Sequence, residues 1–150
     1  MMRDRQRSSG RLNGVWLVFC GGTLGTLLRY LIDAASVRVS DFALDIFIIN
    51  VVGAFILAAL VGYITGAGEP TRDQLKLRLF LGTGMMGGFT TYSTLAVETA
   101  HNIGDGRWAS ALVYSLGTVL VGALLSVAGL LAGRRAVRAR RLGRVSGEMQ

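Results

Sequence analysis

Cysteine, histidine and proline each occur only once among the 150 residues, and each scarcity excludes a class of structure or chemistry. Cys20 alone can form neither an internal disulfide nor a cysteine-based metal site. No serine and aspartate are grouped with His101 as in a nucleophilic triad, and the pattern places this histidine in a connecting loop. The sequence therefore predicts no catalytic residues and no enzyme.

Charged residues are also scarce, at 17% of the chain, whereas hydrophobic residues make up 51%. The charges avoid the long apolar runs, because an ionised side chain at the centre of a bilayer costs roughly 2.5–3.5 kcal/mol on insertion scales. The formal net charge of +7 therefore resides in the termini and the connections. These features predict an integral membrane protein.

Four apolar segments are long enough to cross a bilayer, which takes about 20 residues of helix. They cover residues 13–32, 42–64, 77–99 and 108–131. The connections between them are short and leave no room for a soluble domain. The predicted fold class is therefore all-α integral membrane, with four transmembrane helices in residues 13–133, a basic N-terminal tail (1–12) and a basic C-terminal tail (134–150).

The two tails suggest how the chain meets the membrane. A basic start followed by a long apolar run without a clear cleavage site predicts an uncleaved first helix rather than a signal peptide. The arginine-rich tail at 134–150 allows a nucleic-acid interpretation in principle. Directly after a membrane helix, it indicates a topology anchor at the lipid surface instead. We expect the lipid bilayer, and no nucleic acid, among the partners.

Glycine is abundant, at 21 residues, and several glycines lie four residues apart inside the predicted helices. Small residues at this spacing let helix backbones approach closely. The pairs are Gly21 and Gly25, Gly62 and Gly66, Gly84 and Gly88, and Gly129 and Gly133. For most of these pairs we expect ordinary packing between membrane helices.

The third segment does not look like an ordinary membrane helix, because residues 82–95 contain four glycines and five serines or threonines. Each interior glycine costs roughly 1 kcal/mol of helix propensity relative to alanine. Non-helical backbone at bilayer depth is tolerated only where it is buried in protein or lines a cavity. The segment therefore predicts a helix broken at its centre and an ion site, where freed carbonyls suit a cation and hydroxyl or amide hydrogens suit an anion.

Two further polar side chains, Asn50 and Arg29, lie inside predicted spans. Polar residues within a membrane are functional hypotheses by default. The structural alternatives are an interhelical hydrogen bond for Asn50 and a side chain that reaches the interface for Arg29. Spacing alone leaves both alternatives open, and the remaining function classes are a channel, a small transporter and a structural membrane subunit.

Three stretches then match the motifs of a known family. They are Gly21-Gly22-Thr23-Leu24-Gly25 followed by Arg29-Tyr30, the run Asn50-Val51-Val52-Gly53-Ala54-Phe55, and the run from Thr83 to Thr94 followed by Glu98. The sequence resembles the bacterial fluoride channels, the Fluc or CrcB family, along essentially all of its hydrophobic portion. The third motif is long and unusual for a helix, so it is the most specific of the three.

The resemblance implies an antiparallel dimer with two pores, through which fluoride leaves the cell passively and fluoride toxicity is relieved. It also implies a structural sodium ion on the dimer axis, held by the backbone carbonyls of Gly87 and Thr90 from both subunits. Oxygen ligands are those that a hard cation prefers. A fixed positive charge there favours anions nearby.

Fluoride is small and strongly hydrated, so the pore must replace its water with hydrogen-bond donors. The pore residues implied by the resemblance are Asn50, Tyr92, Ser93, Thr94, Leu95, Tyr114 and Thr118, and Arg29 takes a vestibule or structural role. Tyr92 and Leu95 occupy the positions of two phenylalanines whose positive ring edges face the ion.

Three departures from the family pattern concern this pore. Tyr92 adds a hydroxyl, Leu95 has no ring, and Ile46 stands where threonine is usual. They suggest an alternative in which the chain is a partner subunit that orients a channel and contributes a weakened pore. A small multidrug-type exporter is a further alternative, but it needs a membrane carboxylate, and the first three-quarters of the first segment contain none.

The basic residues also predict an orientation in the cell inner membrane. An even number of spans puts thirteen cations on the side of the termini, and only Arg38 and Arg107 on the other side. The positive-inside rule then places both termini in the cytoplasm. A homodimer would need the same chain to insert both ways, so the bias favours a heterodimer with an oppositely oriented relative.

Overall fold

The computed structural model describes residues 2–36 and 43–147, with the side chains of 12–36 and 43–140, and this part of the chain is helical without strands. The α-helices are α1 (Met2–Ala35), α2 (Leu44–Gly66), α3 (Arg72–Leu77), α4 (Gly87–Phe89), α5 (Tyr92–Gly104) and α6 (Trp108–Gly147). A π-helical segment, Arg78–Met86, joins α3 to α4. Phe42, where the second span was predicted to begin, and Arg38 lie outside the described residues.

Three of these helices contain stretches long and apolar enough to cross a membrane: Leu12–Ala35, Leu44–Gly66 and Trp108–Arg140. Large apolar side chains on them point outwards, as expected for surfaces that face lipid. Trp16, Val113 and Leu124 are among the exposed ones. These stretches match three of the four predicted segments, although α1 and α6 continue well beyond the predicted ends.

The remaining predicted span, the third (77–99), is not one continuous helix. The π-helical segment and α4 lead to Thr90 and Thr91, which adopt extended backbone with ψ of 153° and 122°. The helix resumes at Tyr92 as α5 and continues to Gly104, so His101 lies in a helix and not in the loop predicted for it. The predicted helix break is therefore present, at Thr90 and Thr91.

The helices form two closely packed pairs, and glycines occupy the contacts in both. A Cβ atom on Gly21 would overlap the carbonyl oxygen of Phe80, and one on Gly88 would overlap that of Gly22. These contacts join α1 to the π-helical segment and α4. In the second pair, α2 with α6, a Cβ on Gly129 would overlap the Phe55 carbonyl oxygen. The predicted role of the spaced glycines in helix packing is confirmed.

Gly133 also belongs to this second contact. The sequence placed it at a helix end, but α6 continues to Gly147, and a Cβ there would overlap the carbonyl oxygen of Ala59. Gly133 is therefore an interior packing residue. The C-terminal tail, predicted to begin at residue 134, continues the same helix as far as the structure describes it.

The break at Thr90 and Thr91 is where the chain passes from one helix pair to the other. Before the break, α4 packs against α1, and after it α5 packs against α6. A buried apolar cluster fills the space where the two pairs meet, and it contains Ala43, Ile46, Ile49, Met86, Phe89, Leu95 and Tyr114. The break therefore lies beside the core of the molecule.

Candidate functional site

The side-chain amide of Asn50 holds the extended backbone of the break. Its Nδ2 donates to the carbonyl oxygen of Thr91 at 3.0 Å, and its Oδ1 accepts from the Thr91 N–H at 2.8 Å. In a continuous α-helix that N–H would bond the carbonyl of Gly87. An unpaired backbone group inside a membrane costs several kcal/mol. Asn50 avoids this cost at the break, because it bonds both backbone groups of Thr91.

This geometry bears on the two alternatives for Asn50. The interhelical hydrogen bond is present, and it joins α2 to the break. A primary amide nitrogen carries two hydrogens, and only one of them is used by the bonds found among the described residues. The second hydrogen leaves Asn50 able to donate to a ligand as well.

Thr91 organises the hydroxyl groups at the start of α5. It is the N-cap residue, and its Oγ1 accepts from the Thr94 backbone N–H at 3.2 Å. The same oxygen lies 3.0 Å from the Thr94 hydroxyl and 3.2 Å from the Ser93 hydroxyl. Thr91 was not among the predicted site residues, although a threonine three residues before Thr94 is a recognisable capping signal.

A groove of about 620 Å³ opens beside the break, between α2, α5 and α6. Its walls are mainly apolar, and a few polar residues line it: Asn50, Thr90, Thr91, Tyr92, Thr118 and Ser126. Ser126 was not predicted. It lies eight residues after Thr118, about two helical turns along the same face of α6, and this spacing could have indicated it.

The two residues at the phenylalanine positions have different surroundings. Tyr92 is 81% exposed in the single chain and lies at the edge of the groove. Leu95, three residues further along α5, is only 7% exposed because it also packs in the core cluster. An aliphatic side chain therefore stands between the groove and the core, where a ring was expected from the family pattern.

Tyr114 and Thr118 are one turn apart on α6, but they face different surroundings. Thr118 lines the groove, and its hydroxyl donates to the Tyr114 carbonyl at 2.7 Å. Tyr114 is 1% exposed within the core cluster, where its hydroxyl lies 3.5 Å from the Ala43 carbonyl oxygen. Ile46, at the usual threonine position, belongs to the same cluster and packs rather than lines the groove.

Arg29 bonds the backbone just before the break. Its Nε donates to the Gly88 carbonyl at 3.3 Å, and the Thr26 hydroxyl donates to the same oxygen at 3.5 Å. The guanidinium thus lies at the carboxyl end of α4, where the helix dipole favours a positive charge. The Arg29 side chain is thus half-buried and bonded to the backbone of a neighbouring helix.

Gly87 and Thr90, the residues implied as sodium ligands, flank the last turn before the break. A Cβ on Gly87 would meet nothing within 4 Å, so the backbone there is open to approach from outside the chain. The Thr90 side chain lines the groove, and its hydroxyl donates to the Met86 carbonyl at 2.9 Å. Backbone carbonyls are hard oxygen ligands, so the chemistry of these two residues fits a hard monovalent cation.

These features define a class of protein: a multi-pass helical membrane protein in which a helix break, bonded by an amide side chain of a neighbouring span, lies beside a groove with amide and hydroxyl groups. The family described as "CrcB-like protein, Camphor Resistance (CrcB)" matches residues 16–130. The chain belongs to this family, and the resemblance seen in the sequence motifs is confirmed.

Several curated relatives are similar over most of their length. "Fluoride-specific ion channel FluC 2" of Leifsonia xyli subsp. xyli is 41% identical over 122 residues, 78% of this chain and 81% of the relative. "Fluoride-specific ion channel FluC 1" of Cutibacterium acnes is 43% identical over 113 residues, 75% and 79% of the two chains. "Fluoride-specific ion channel FluC" of Caulobacter vibrioides is 34% identical over 126 residues, 83% and 98%.

Proposed function

We propose that this chain is a fluoride-selective ion channel, which lets fluoride leave the cell passively across the inner membrane and so relieves fluoride toxicity. Family membership and the names of the relatives support the ion and the activity. The observation that carries the proposal is the Asn50 amide, which lies at a helix break and faces a groove with hydroxyl groups. The chain is then a channel and not an enzyme.

Fluoride needs strong hydrogen-bond donors to replace its hydration shell. The second amide hydrogen of Asn50 and the hydroxyls of Ser93 and Thr94 supply such donors at the start of α5. The N-terminus of a helix also carries a partial positive charge that attracts anions. The ring edge of Tyr92 and the side chain of Thr118 line the same groove, and Leu95 contributes only an apolar wall. Tyr114, buried in the core cluster, supports α6 behind the proposed path and does not line it.

The working channel, in this proposal, is an antiparallel dimer. The interrupted helix from α3 to α5 is the third of four spans, so both termini lie on the same side. The groove is open along one chain, and a second chain laid across it would enclose a pore and cover the exposed Tyr92. Two such grooves give two pores per dimer.

A sodium ion at the dimer centre fits this arrangement. The carbonyls of Gly87 and Thr90 from the two chains would hold it, and the open space in front of Gly87 would be filled by the partner. When bound, the ion supplies a fixed positive charge that favours anions nearby. Arg29, which bonds the adjacent Gly88 carbonyl, keeps the preceding turn in place.

A heterodimer is a second candidate for the assembly. The missing ring at Leu95 weakens one pore, and the charge asymmetry of the chain opposes insertion in both orientations. In this alternative the chain orients the assembly, and an oppositely inserted relative supplies the intact pore.

The test is fluoride efflux from liposomes that contain the purified full chain, followed with a fluoride electrode. Fluoride release with little chloride release, from the chain alone or together with an oppositely oriented relative, would support the proposal. Equal permeation of chloride and fluoride, or no fluoride release in either preparation, would overturn it. Flux that requires the relative would identify the heterodimer.

A further inference from the structure

The last helix carries a dense group of positive charges beyond the apolar part of the protein. With 40 residues, α6 is about 60 Å long, roughly twice the thickness of a hydrocarbon core. Its residues 131–147 include six arginines and no aspartate or glutamate. Pairing within this stretch therefore cannot neutralise the charge.

The position of these arginines relative to the membrane follows from the packing of α2 on α6. A Cβ on Gly66, the last residue of α2, would lie 3.4 Å from the Cα of Arg134. Arg134 is thus level with the end of a neighbouring span. Arg135 and Arg138 follow within about 6 Å along the helix axis, a distance that corresponds to the headgroup layer of one leaflet.

Two contacts hold the start of this extension against α2. The Nη1 of Arg140 donates to the Tyr63 hydroxyl at 2.8 Å, and its guanidinium carbon lies 5.5 Å from the centre of the Tyr63 ring. Val137, one turn earlier, is only 6% exposed. The extension is therefore packed in place as far as Arg140, so the exposed arginines before it are presented in a fixed arrangement.

We propose that Arg134, Arg135 and Arg138 form a binding site for the phosphate groups of anionic phospholipids in the leaflet that adjoins the chain termini. All three side chains are exposed, and guanidinium groups bind phosphate oxygens in a bidentate manner. Arg72 and Arg78, which follow the short turn after α2, add exposed positive charge on the same side of the protein.

The location decides between a lipid and other phosphates. A basic segment next to a membrane span meets anionic headgroups at high local density, and each arginine near that surface adds to the attraction. A soluble phosphate or a nucleic acid would have to enter the headgroup layer from the aqueous phase to reach these arginines. We therefore assign the site to an anionic phospholipid, and the experiment below distinguishes this lipid from a soluble phosphate and from a nucleic acid.

The experiment uses the full chain in detergent, with phosphatidylglycerol or phosphatidylcholine added, and counts retained lipid by native mass spectrometry. The variant replaces Arg134, Arg135 and Arg138 by glutamine. A matched control replaces Arg3, Arg5 and Arg7 by glutamine, which removes the same charge from the same side. A third variant, with lysine at the three α6 positions, tests whether charge alone is sufficient.

We expect the unaltered chain to retain phosphatidylglycerol in preference to phosphatidylcholine. The α6 glutamine variant should bind phosphatidylglycerol at least about tenfold more weakly, because three attractive charges are lost, and the N-terminal control should bind it unchanged. The lysine variant should keep most of the binding, because the attraction to an anionic surface depends mainly on charge. Monodisperse elution of each variant on size exclusion provides a second check of folding.

Three results would overturn the proposal. One is equal loss of lipid in the α6 variant and in the N-terminal control, which would reduce the effect to net charge. Another is displacement of the lipid by millimolar inorganic phosphate or by a short RNA, which would identify a soluble ligand. The third is unchanged retention in the α6 glutamine variant. Fluoride flux does not enter the measurement, so the test is independent of the proposed channel function.

Discussion

Arg29 on α1 donates through Nε to the carbonyl oxygen of Gly88, on the turn that precedes the helix break. A positive charge from one helix therefore closes the carboxyl end of another, where carbonyl groups have lost their helical partners. Together with Asn50, which bonds Thr91 on the other side, it fixes the break from two directions. The break is thus held by side chains from α1 and α2.

Replacement of Arg29 by glutamine should lower the free energy of unfolding by about 1–3 kcal/mol, since a hydrogen bond from a charged donor to a half-buried carbonyl is lost. Thermal unfolding in detergent measures the change. The control is Arg72→Gln, which removes an exposed arginine on α3. Equal unfolding midpoints for the two variants would contradict the role of Arg29.

Asn50→Leu should abolish most fluoride flux and also destabilise the protein. Leucine leaves both backbone groups of Thr91 without their partner, at a cost of about 1–3 kcal/mol for each buried group. It also removes the proposed donor to the ion. Flux from liposomes and the unfolding midpoint are measured together.

Asn13→Leu provides the matched control for Asn50, because it makes the same change at an exposed position on α1. It should leave flux and unfolding midpoint unchanged. Full fluoride flux in the Asn50 variant would contradict a role in the pore and leave Asn50 only its structural bonds to Thr91. The bonds to Thr91 make the fold as well as the flux depend on Asn50.

Valine at Gly133 and valine at Gly87 should fail in different ways. At Gly133 the side chain overlaps the Ala59 backbone within the same chain, so α2 and α6 cannot pack, and the yield of folded monomer should fall. At Gly87 the space is open within the chain, so the monomer should fold while dimer yield and flux decrease. Gly117→Val, also in open space, is the control and should change neither.

Cross-linking and size exclusion separate these outcomes. A Gly87 variant with normal dimer yield and normal flux would argue against a central ion site. A Gly133 variant that is as stable as the unaltered chain would contradict the close contact of α2 with α6. From the sequence alone, valine at Gly133 would be expected to have the smaller effect, because the predicted transmembrane domain ends at that residue.

Much of this fold could be predicted from composition and spacing. The long apolar runs with few charged residues located the three long spans, because a bilayer penalises ionised groups along the segment. The glycines of the third segment indicated a break, because helix propensity is a local property. The ends of α1 and α6 were not predicted, because hydrophobicity marks only the part of a helix inside the bilayer. Arginine is a good helix former, so the helix continues into the basic segments.

The site itself was only partly accessible from the sequence. Asn50 was singled out as a polar residue inside an apolar run, but its partner Thr91 depends on how two distant helices meet. The burial of Tyr114 and Ile46 in the core follows from the rotation of α6 and α2 about their axes, which residue spacing along a strongly apolar helix does not define. The contact of Arg29 with Gly88 likewise requires the crossing of α1 and α4.

The final prediction concerns orientation, and the structure adds to the argument from charge. Gly14 on α1 lies beside Leu79, and Gly66 on α2 lies beside Arg134, so the start of α1, the end of α2 and the extension of α6 share one end of the molecule. Most of the basic residues belong to this end, including those of α3. Because short basic segments remain in the cytoplasm, we expect the termini to be cytoplasmic in nearly all copies.

Reporters fused to the C-terminus test this expectation, one fluorescent only in the cytoplasm and one enzyme active only outside it. Signal should come almost entirely from the cytoplasmic reporter. Fluoride flux from the chain expressed alone should then be low and should rise when an oppositely oriented relative is expressed with it, since an antiparallel dimer needs one subunit of each orientation. Comparable signals from both reporters, or strong flux from the chain alone, would instead establish a homodimer whose single sequence inserts both ways.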